Sequence, residues 1–298
     1  MRFGIFICIF IFIVACNAQL SRNTNTFTSS KSIAMGGAGF LLPSSISLKI
    51  NPAMNHLDRQ FITSIVKYPA SISSQSIGFN FPLEKFHFSP SLKYLSYGIF
   101  QEYDEDANFL GNYHSYETWV GSSFSKKIIN FPIFIGANLN WHRSFFNGFK
   151  INSLSVDIGT KIFFKNINNA IGLSFHQIGI GLKNKKPMQL IPEIVISGSK
   201  KLRYLPAVIY IDLLINNFIN ENEMFLGSLF EINKKLNLML GTSSRKFDQN
   251  TSEKLSKSIL GATGFGVLYM INNINVQYGI YLYGNGAQIQ ALDIGMKF

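Results

Sequence analysis

The chain has 298 residues and a formal net charge of +11, from 27 Lys and Arg against 16 Asp and Glu. Charged residues make up only 14%, aromatics another 14% with 28 Phe and 12 Tyr, and the mean hydropathy is slightly positive. That balance excludes an ordinary water-covered surface; something other than water touches much of this molecule. Nucleic-acid binding is excluded as well, because the basic residues stand in ones and twos at segment ends (Lys126-Lys127, Lys200-Lys201, Lys234-Lys235) without a basic helix or groove-sized cluster. Such positions suit anionic lipid headgroups and lipopolysaccharide phosphates.

Met1 to Ala18 carries one positive charge at Arg2, an apolar run from Phe3 to Ala15 and a small-residue site at Cys16-Asn17-Ala18. This reads as a secretory signal peptide over residues 1–18. Ile13-Val14-Ala15-Cys16 is a poor lipobox, which leaves Cys16 open as a lipidated first residue. Cys8 and Cys16 are the only cysteines, so a mature chain of 298 − 18 = 280 residues has no disulfide to hold it. Its stability must come from a large core or from a closed hydrogen-bonded structure.

Residues 19–56 precede the first strand-like segment and contain Ser32-Ile-Ala-Met-Gly-Gly-Ala-Gly-Phe40, followed eleven residues later by Asn51-Pro52-Ala53. Gly36, Gly37 and Gly39 let the backbone turn and approach a wall closely, and Pro52 fixes a bend into the first strand. Met35 opens the glycine run and Ala53 closes the second motif.

From residue 57 to 298 the hydrophobic period is mostly two, in about fourteen segments that begin near Phe61, Ile72, Ser91, Ser115, Pro132, Ile151, Asn169, Leu190, Ala207, Met224, Leu236, Ser258, Ile274 and Ala287. In one, Ile274, Val276, Tyr278, Ile280 and Leu282 alternate with Asn275, Gln277, Gly279 and Tyr281; in another, Leu154, Val156, Ile158, Thr160 and Ile162 alternate with Ser155, Asp157, Gly159 and Lys161. No mature segment has about 20 unbroken apolar residues, so a transmembrane helix is not expected. A soluble propeller or sandwich also has many short strands, but no internal repeat is present. The predicted fold is all-β, a transmembrane antiparallel barrel of about 14 strands with a short N-terminal plug segment. With both termini in the periplasm, short turns are expected near 165–168, 203–205, 233–235 and 272–273. Longer outer loops are expected at Tyr103 to His114, Lys183 to Gln189 and Arg245 to Ser256. Two connections break this rule: Gly284 to Gly286 is short for an outer loop, and Lys126 to Phe131 is long for an inner turn.

The chain ends in Ala287-Gln-Ile-Gln-Ala-Leu-Asp-Ile-Gly-Met-Lys-Phe298, where Leu292, Ile294, Met296 and Phe298 fall on one side and Ala291, Asp293, Gly295 and Lys297 on the other. A lipid-facing strand ending in an aromatic residue resembles the β-signal by which Gram-negative outer-membrane proteins are recognised for insertion. The implied partners are outer-membrane lipid, lipopolysaccharide and the barrel-insertion machinery.

Catalytic and metal chemistry is sparse. His56, His87, His114, His142 and His176 are far apart, with no mature cysteine beside them, so no metal site and no cofactor is expected. Gly172-Leu-Ser174-Phe-His176 lacks the closing glycine of a nucleophile elbow and sits inside a strand. Outer-membrane hydrolases with Ser and His near a barrel rim leave Ser174 and His176 open as a catalytic pair. Glu102, Asp104, Glu105 and Asp106 lack the glycine and final glutamate of an EF-hand loop and read as a solvated acidic loop. Gly261-Ala-Thr-Gly264-Phe-Gly266 reads as close-packed barrel glycines.

The pairing of the glycine motif with Asn51-Pro52-Ala53 is similar to the N-terminal segment of FadL-like outer-membrane barrels. It resembles most the PorV/PorQ family of the type IX secretion system in Bacteroidetes-type bacteria. The resemblance implies that Met35, Gly36, Gly37, Gly39, Asn51, Pro52 and Ala53 plug or line the periplasmic mouth. It further implies a non-enzymatic scaffold or cargo-delivery role with other secretion subunits, such as a surface sortase-like peptidase. The chain departs from many relatives in having Leu41-Leu42-Pro43-Ser44-Ser45-Ile46-Ser47 where they carry acids. The alternative is a FadL-like channel for hydrophobic molecules, against which the polar inward positions Asn138, Asn140, Asp157, Lys161, Asn275 and Gln277 weigh.

Overall fold

A computed structural model describes residues 27–46, 48, 50–54, 58–146, 148–164, 169–216, 221–247, 260–283 and 286–298. The expected signal peptide with Cys8 and Cys16, His56, the turn at 165–168, residues 248–256 of the stretch after Arg245, and Gly284 lie outside the described residues.

After a short helix α1 (Ser30–Ala34) come strands β1 (Gln60–Lys67), β2 (Ser73–Pro82), β3 (His87–Tyr103), β4 (Phe109–Lys127), β5 (Ile133–Phe146), β6 (Phe149–Phe164), β7 (Asn169–Lys183), β8 (Lys186–Gln189), β9 (Glu193–Lys201), β10 (Ala207–Asn216), β11 (Glu221–Glu231), β12 (Leu236–Ser243), β13 (Thr263–Ile271), β14 (Ile274–Leu282) and β15 (Gln288–Lys297). All pair antiparallel with neighbours in one sheet, and β1 pairs with β15, Thr63 opposite Ile294, which closes it. Strand β8 only extends the wall beside β7, so the closed barrel has 14 strands. Closure satisfies the backbone without leaving an edge in lipid.

The alternation sorts side chains as predicted. Leu154, Val156, Ile158 and Ile162 point out, whereas Ser153, Asp157 and Gly159 are inside. The outer surface is the apolar one and the interior is rich in Ser, Asn and Gly, the inverse of a soluble sandwich. Outward rings form two belts: Phe61, Phe79, Phe81, Phe88 and Phe124 near the end holding the termini, and Tyr94, Tyr116 and Phe145 toward the other. Phe124 and Tyr116 are eight residues apart on β4; at ~3.4 Å per residue that is ~27 Å along a tilted strand, of the order of the ~25 Å apolar band of such barrels. The terminal strand shows Leu292, Ile294, Met296 and Phe298 exposed on this outer face, with Ala291 and Asp293 buried inside.

Two expected loops are instead strand. Tyr103 to His114 is mostly β3 and β4, turning only at 104–108; the ladder is supported by ring contacts Phe100–Tyr113 at 5.3 Å and Tyr103–Phe109 at 5.7 Å. Because β2 starts opposite Ser96 and β5 pairs no further than Tyr116, residues 97–103 and 109–115 stand as a two-stranded ribbon above the barrel. Lys183 to Gln189 is likewise a tight hairpin, made possible by the left-handed Asn184 and Lys185 (φ 49° and 68°). The arm of β3 bends at a bulge between Ser96 and Ile99, where Gly98 has φ 93°.

Candidate functional site

Residues 27–46 and 50–54 lie in the lumen against the inner wall, and the two sequence motifs meet there. The Asn51 N–H donates to the Phe40 carbonyl at 3.0 Å, joining the glycine motif to Asn-Pro-Ala. Asn51 is fully buried; its Oδ1 accepts from Ala53 N at 2.9 Å and its Nδ2 donates to the Thr160 carbonyl at 2.9 Å. Gly36, Gly37 and Gly39 all have positive φ, so a side chain at any of them would strain the turn.

The wall answers with glycines of its own. Gly227, Gly241 and Gly264 lie side by side on β11, β12 and β13. A Cβ on Gly241 would collide with the Met35 carbonyl, one on Gly264 with Ile33 O, and one on Gly36 would lie 2.7 Å from the Gly241 carbonyl carbon. On the opposite wall Gly136 meets Pro52 and Gly159 meets Asn51. Backbone therefore packs on backbone, which confirms the close-packed reading of Gly264 and Gly266 and gives Met35, Ala38, Phe40 and Leu41 an apolar cluster with Val195, Tyr210, Phe225 and Met239.

Two wall carboxylates hold the segment's amides. Asp293 accepts from Ser30 N through both oxygens at 3.0 Å, at the N-terminus of α1, where Ser29 and Ser32 form a capping box. Asp212 accepts from Gly39 N at 2.7 Å and Phe40 N at 3.4 Å. The segment reaches beyond the mouth expected for it: the Phe27 ring packs tilted against Tyr281 with centroids 4.5 Å apart, and the Tyr68 hydroxyl, in the β1–β2 connection, donates to the Phe27 carbonyl at 2.5 Å.

The remaining lumen holds a polar cluster that sequence reading only half anticipated. Of its inward candidates, Asn138, Asn140, Asp157, Asn275 and Gln277 are buried. A cavity of about 50 Å³ is lined by Lys93, Trp119, Asn140, His142, Asp157 and His176, with Thr28 and Leu48 of the inner segment. At roughly 10–15 Å³ per water it has room for about four. Lys93 Nζ lies 4.5 Å over the Trp119 ring, which stacks on His142; His142 Nε2 is 2.9 Å from Glu117, whose other oxygen accepts from Tyr97. Neither Lys93 nor Glu117 belongs to a sequence motif, although Lys93 between Leu92 and Tyr94 follows the alternation.

Ser174 and His176 do come together, at 2.9 Å, and His176 Nδ1 lies 3.5 Å from Asp157. Asp157 also accepts from Asn140 at 2.7 Å and from Gln177 N at 2.8 Å. The order is that of a Ser-His-Asp triad, but Ser174 is fully buried and does not line the cavity. Among the described residues no group of three His, Asp or Glu could hold a metal ion.

The wall is interrupted beside this cavity. Ile180 faces Gln189 and His176 faces Glu193, one register, yet residues 190–192 between β8 and β9 leave the ladder, opposite a bulge at Gln177 (φ 61°). Gln177 and Leu190 both line the cavity.

No protein-family model matches the chain, and no curated protein matches it. Solved structures do. The Pseudomonas putida toluene transporter TodX superposes with a TM-score of 0.55 at 10% identity, over 92% of this chain and 99% of that one. A Pseudomonas aeruginosa FadL homologue superposes with a TM-score of 0.53 at 9% identity, over 91% and 98%. The likeness is one of fold. This chain is a closed 14-stranded β-barrel with an apolar outer face, and it shares the fold of those two outer-membrane barrels.

Proposed function

We propose that the protein is a non-enzymatic scaffold of the outer membrane that holds or delivers partner proteins at the cell surface, in type IX secretion as its motifs imply. The observation that carries this reading is the interlock of residues 27–46 and 50–54 with the glycines of the wall. It packs backbone directly against the inner wall, and the cavity beside Lys93 and Asp157, at about 50 Å³, is too small and too polar for a hydrocarbon. The working surface is then outside, and the β3–β4 ribbon is its most prominent part, with Ile99, Tyr103, Phe109 and Leu110 each more than half exposed. No bond chemistry is assigned to Ser174, which no substrate reaches in this arrangement. Replacing residues 98–114 by a two-residue turn tests the idea. Surface attachment of secreted proteins should fall while the barrel keeps its heat-resistant mobility on gels; unchanged attachment would refute it.

A second reading rests on the wall interruption at 190–192. A lateral exit there would let hydrophobic molecules leave the lumen sideways, as in a FadL-like channel. It requires the inner segment to move and the polar cluster around Lys93 and Asp157 to open. Uptake of a labelled fatty acid that is abolished by cross-linking a cysteine pair at Gln177 and Leu190 would favour it.

A further inference from the structure

A groove of about 520 Å³ runs down the outer face over β10, β11 and β12, about ten times the volume of the lumenal cavity beside Lys93 and within the roughly 300–1,000 Å³ of ligand sites. Its cause is local. Outward positions on these strands read Leu226, Ser228, Phe230 and Leu240, Thr242, so two small residues sit where large ones fill the rest of the belt. Both hydroxyls are turned into the wall: Ser228 Oγ donates to Leu240 O at 3.3 Å and Thr242 Oγ1 to Ala262 O at 2.9 Å. The groove thereby presents an apolar surface between Leu226, Phe230, Leu240 and Leu260.

The ends differ. Lys246, in the 3-10 turn Ser244–Lys246 after β12, lines the groove at the rim away from the termini, beside the 86% exposed Phe247. The other end reaches Leu202 and Leu205, beside the 94% exposed Tyr204. In a barrel whose termini face the periplasm, the Lys246 end lies at the outer leaflet, at the depth of lipid phosphates. The floor is the backbone of Gly227 and Gly241, whose lumenal side carries Met35 and Gly36. Here a single layer of backbone separates the groove from the inner segment.

We propose that this groove binds one acyl chain of a phosphorylated outer-leaflet glycolipid, with its phosphate at Lys246. The apolar length takes the chain, the cation selects the head, and Leu260 closes the side. The site is independent of whether the barrel is a scaffold or a channel.

The test is native mass spectrometry of the full-length protein released from nanodiscs of phosphatidylethanolamine containing hexa-acylated, bisphosphorylated lipid A. The wild type should carry one lipid A. Ser228→Phe should lower the lipid-bound fraction about tenfold or more, a difference worth about 1.4 kcal/mol, and Ile196→Phe, exposed on the outer face of β9 away from the groove, should not. Lys246→Gln, outside the wall strands, should lower it even if Ser228→Phe folds poorly. Equal fractions in wild type and Lys246→Gln would overturn the proposal. So would equal retention of dephosphorylated lipid A, or a wild type released without lipid or as a dimer.

Discussion

The Asp212 carboxylate on β10 accepts a hydrogen bond from the Gly39 N–H at 2.7 Å, so a wall strand and the glycine motif are joined across 173 residues of sequence. A buried donor left without its acceptor costs about 1–3 kcal/mol. Asp212→Ala should strand the amides of Gly39 and Phe40 and loosen the inner segment, whereas Asp212→Asn, which keeps an acceptor, should do so less. Hydrogen exchange at residues 36–42 in detergent micelles measures the difference; equal protection in both variants would contradict the latch.

Gly241 probes the interlock from the wall side. Gly241→Val should displace Met35 and expose residues 27–54 to added protease, with the barrel still closed. Gly198→Ala serves as comparison, since the nearest atom to its added carbon, the Ile211 carbonyl oxygen, is 3.9 Å away. Proteolytic mapping of the two proteins decides, and the expected pattern is cleavage in the first only.

Acidification should untie the ribbon tip. Asp104 accepts from the amides of Asp106 and Asn108, at 3.0 and 2.7 Å, and from the Asn108 side chain at 2.9 Å. Those bonds, the Asn108 side chain first, hold its carboxyl below the ordinary value of 3.8. A depressed carboxylate pKa gives order that is fully present above 3.8 and lost as pH falls through the lower folded value. Amide exchange at Asp106 and Asn108 should therefore quicken only below that point, and Asp104→Asn should remove most of the pH dependence.

Ser174→Ala should leave surface attachment of secreted proteins unchanged. The Ser174–His176 contact is internal packing in this account, and loss of any activity on that change would put a hydrolase back in consideration.

Much of the architecture was legible because a barrel wall leaves a period-two record. The start points read near Phe61, Asn169, Ala207, Leu236, Ile274 and Ala287 fall within a residue of the observed strands. The ribbon leaves no such record, because Gly98, Gly111 and the acidic tip break the alternation where no neighbouring strand imposes it. Lys183-Asn184-Lys185-Lys186 reads as a loop from its polarity, yet the positive φ of Asn184 and Lys185 makes a hairpin. The glycine and Asn-Pro-Ala motifs announced a close-packed segment, but not what it packs on. Asp212 looks like any inward acid until Gly39 is placed beside it. Asp157 and His176 lie on different strands, and a bulge at Gln177 sets where they meet, which no spacing in the sequence encodes.

The scaffold reading stands or falls on what the protein holds in the cell. An epitope tag at residues 284–285, in the short β14–β15 connection, leaves both the inner segment and the terminal Phe298 untouched. After mild cross-linking and detergent extraction, the account predicts recovery with other outer-membrane secretion subunits, a surface peptidase among them, and loss of that recovery when the β3–β4 ribbon is removed. Recovery of the barrel alone, with fatty acid or hydrocarbon in its lumen, would contradict it.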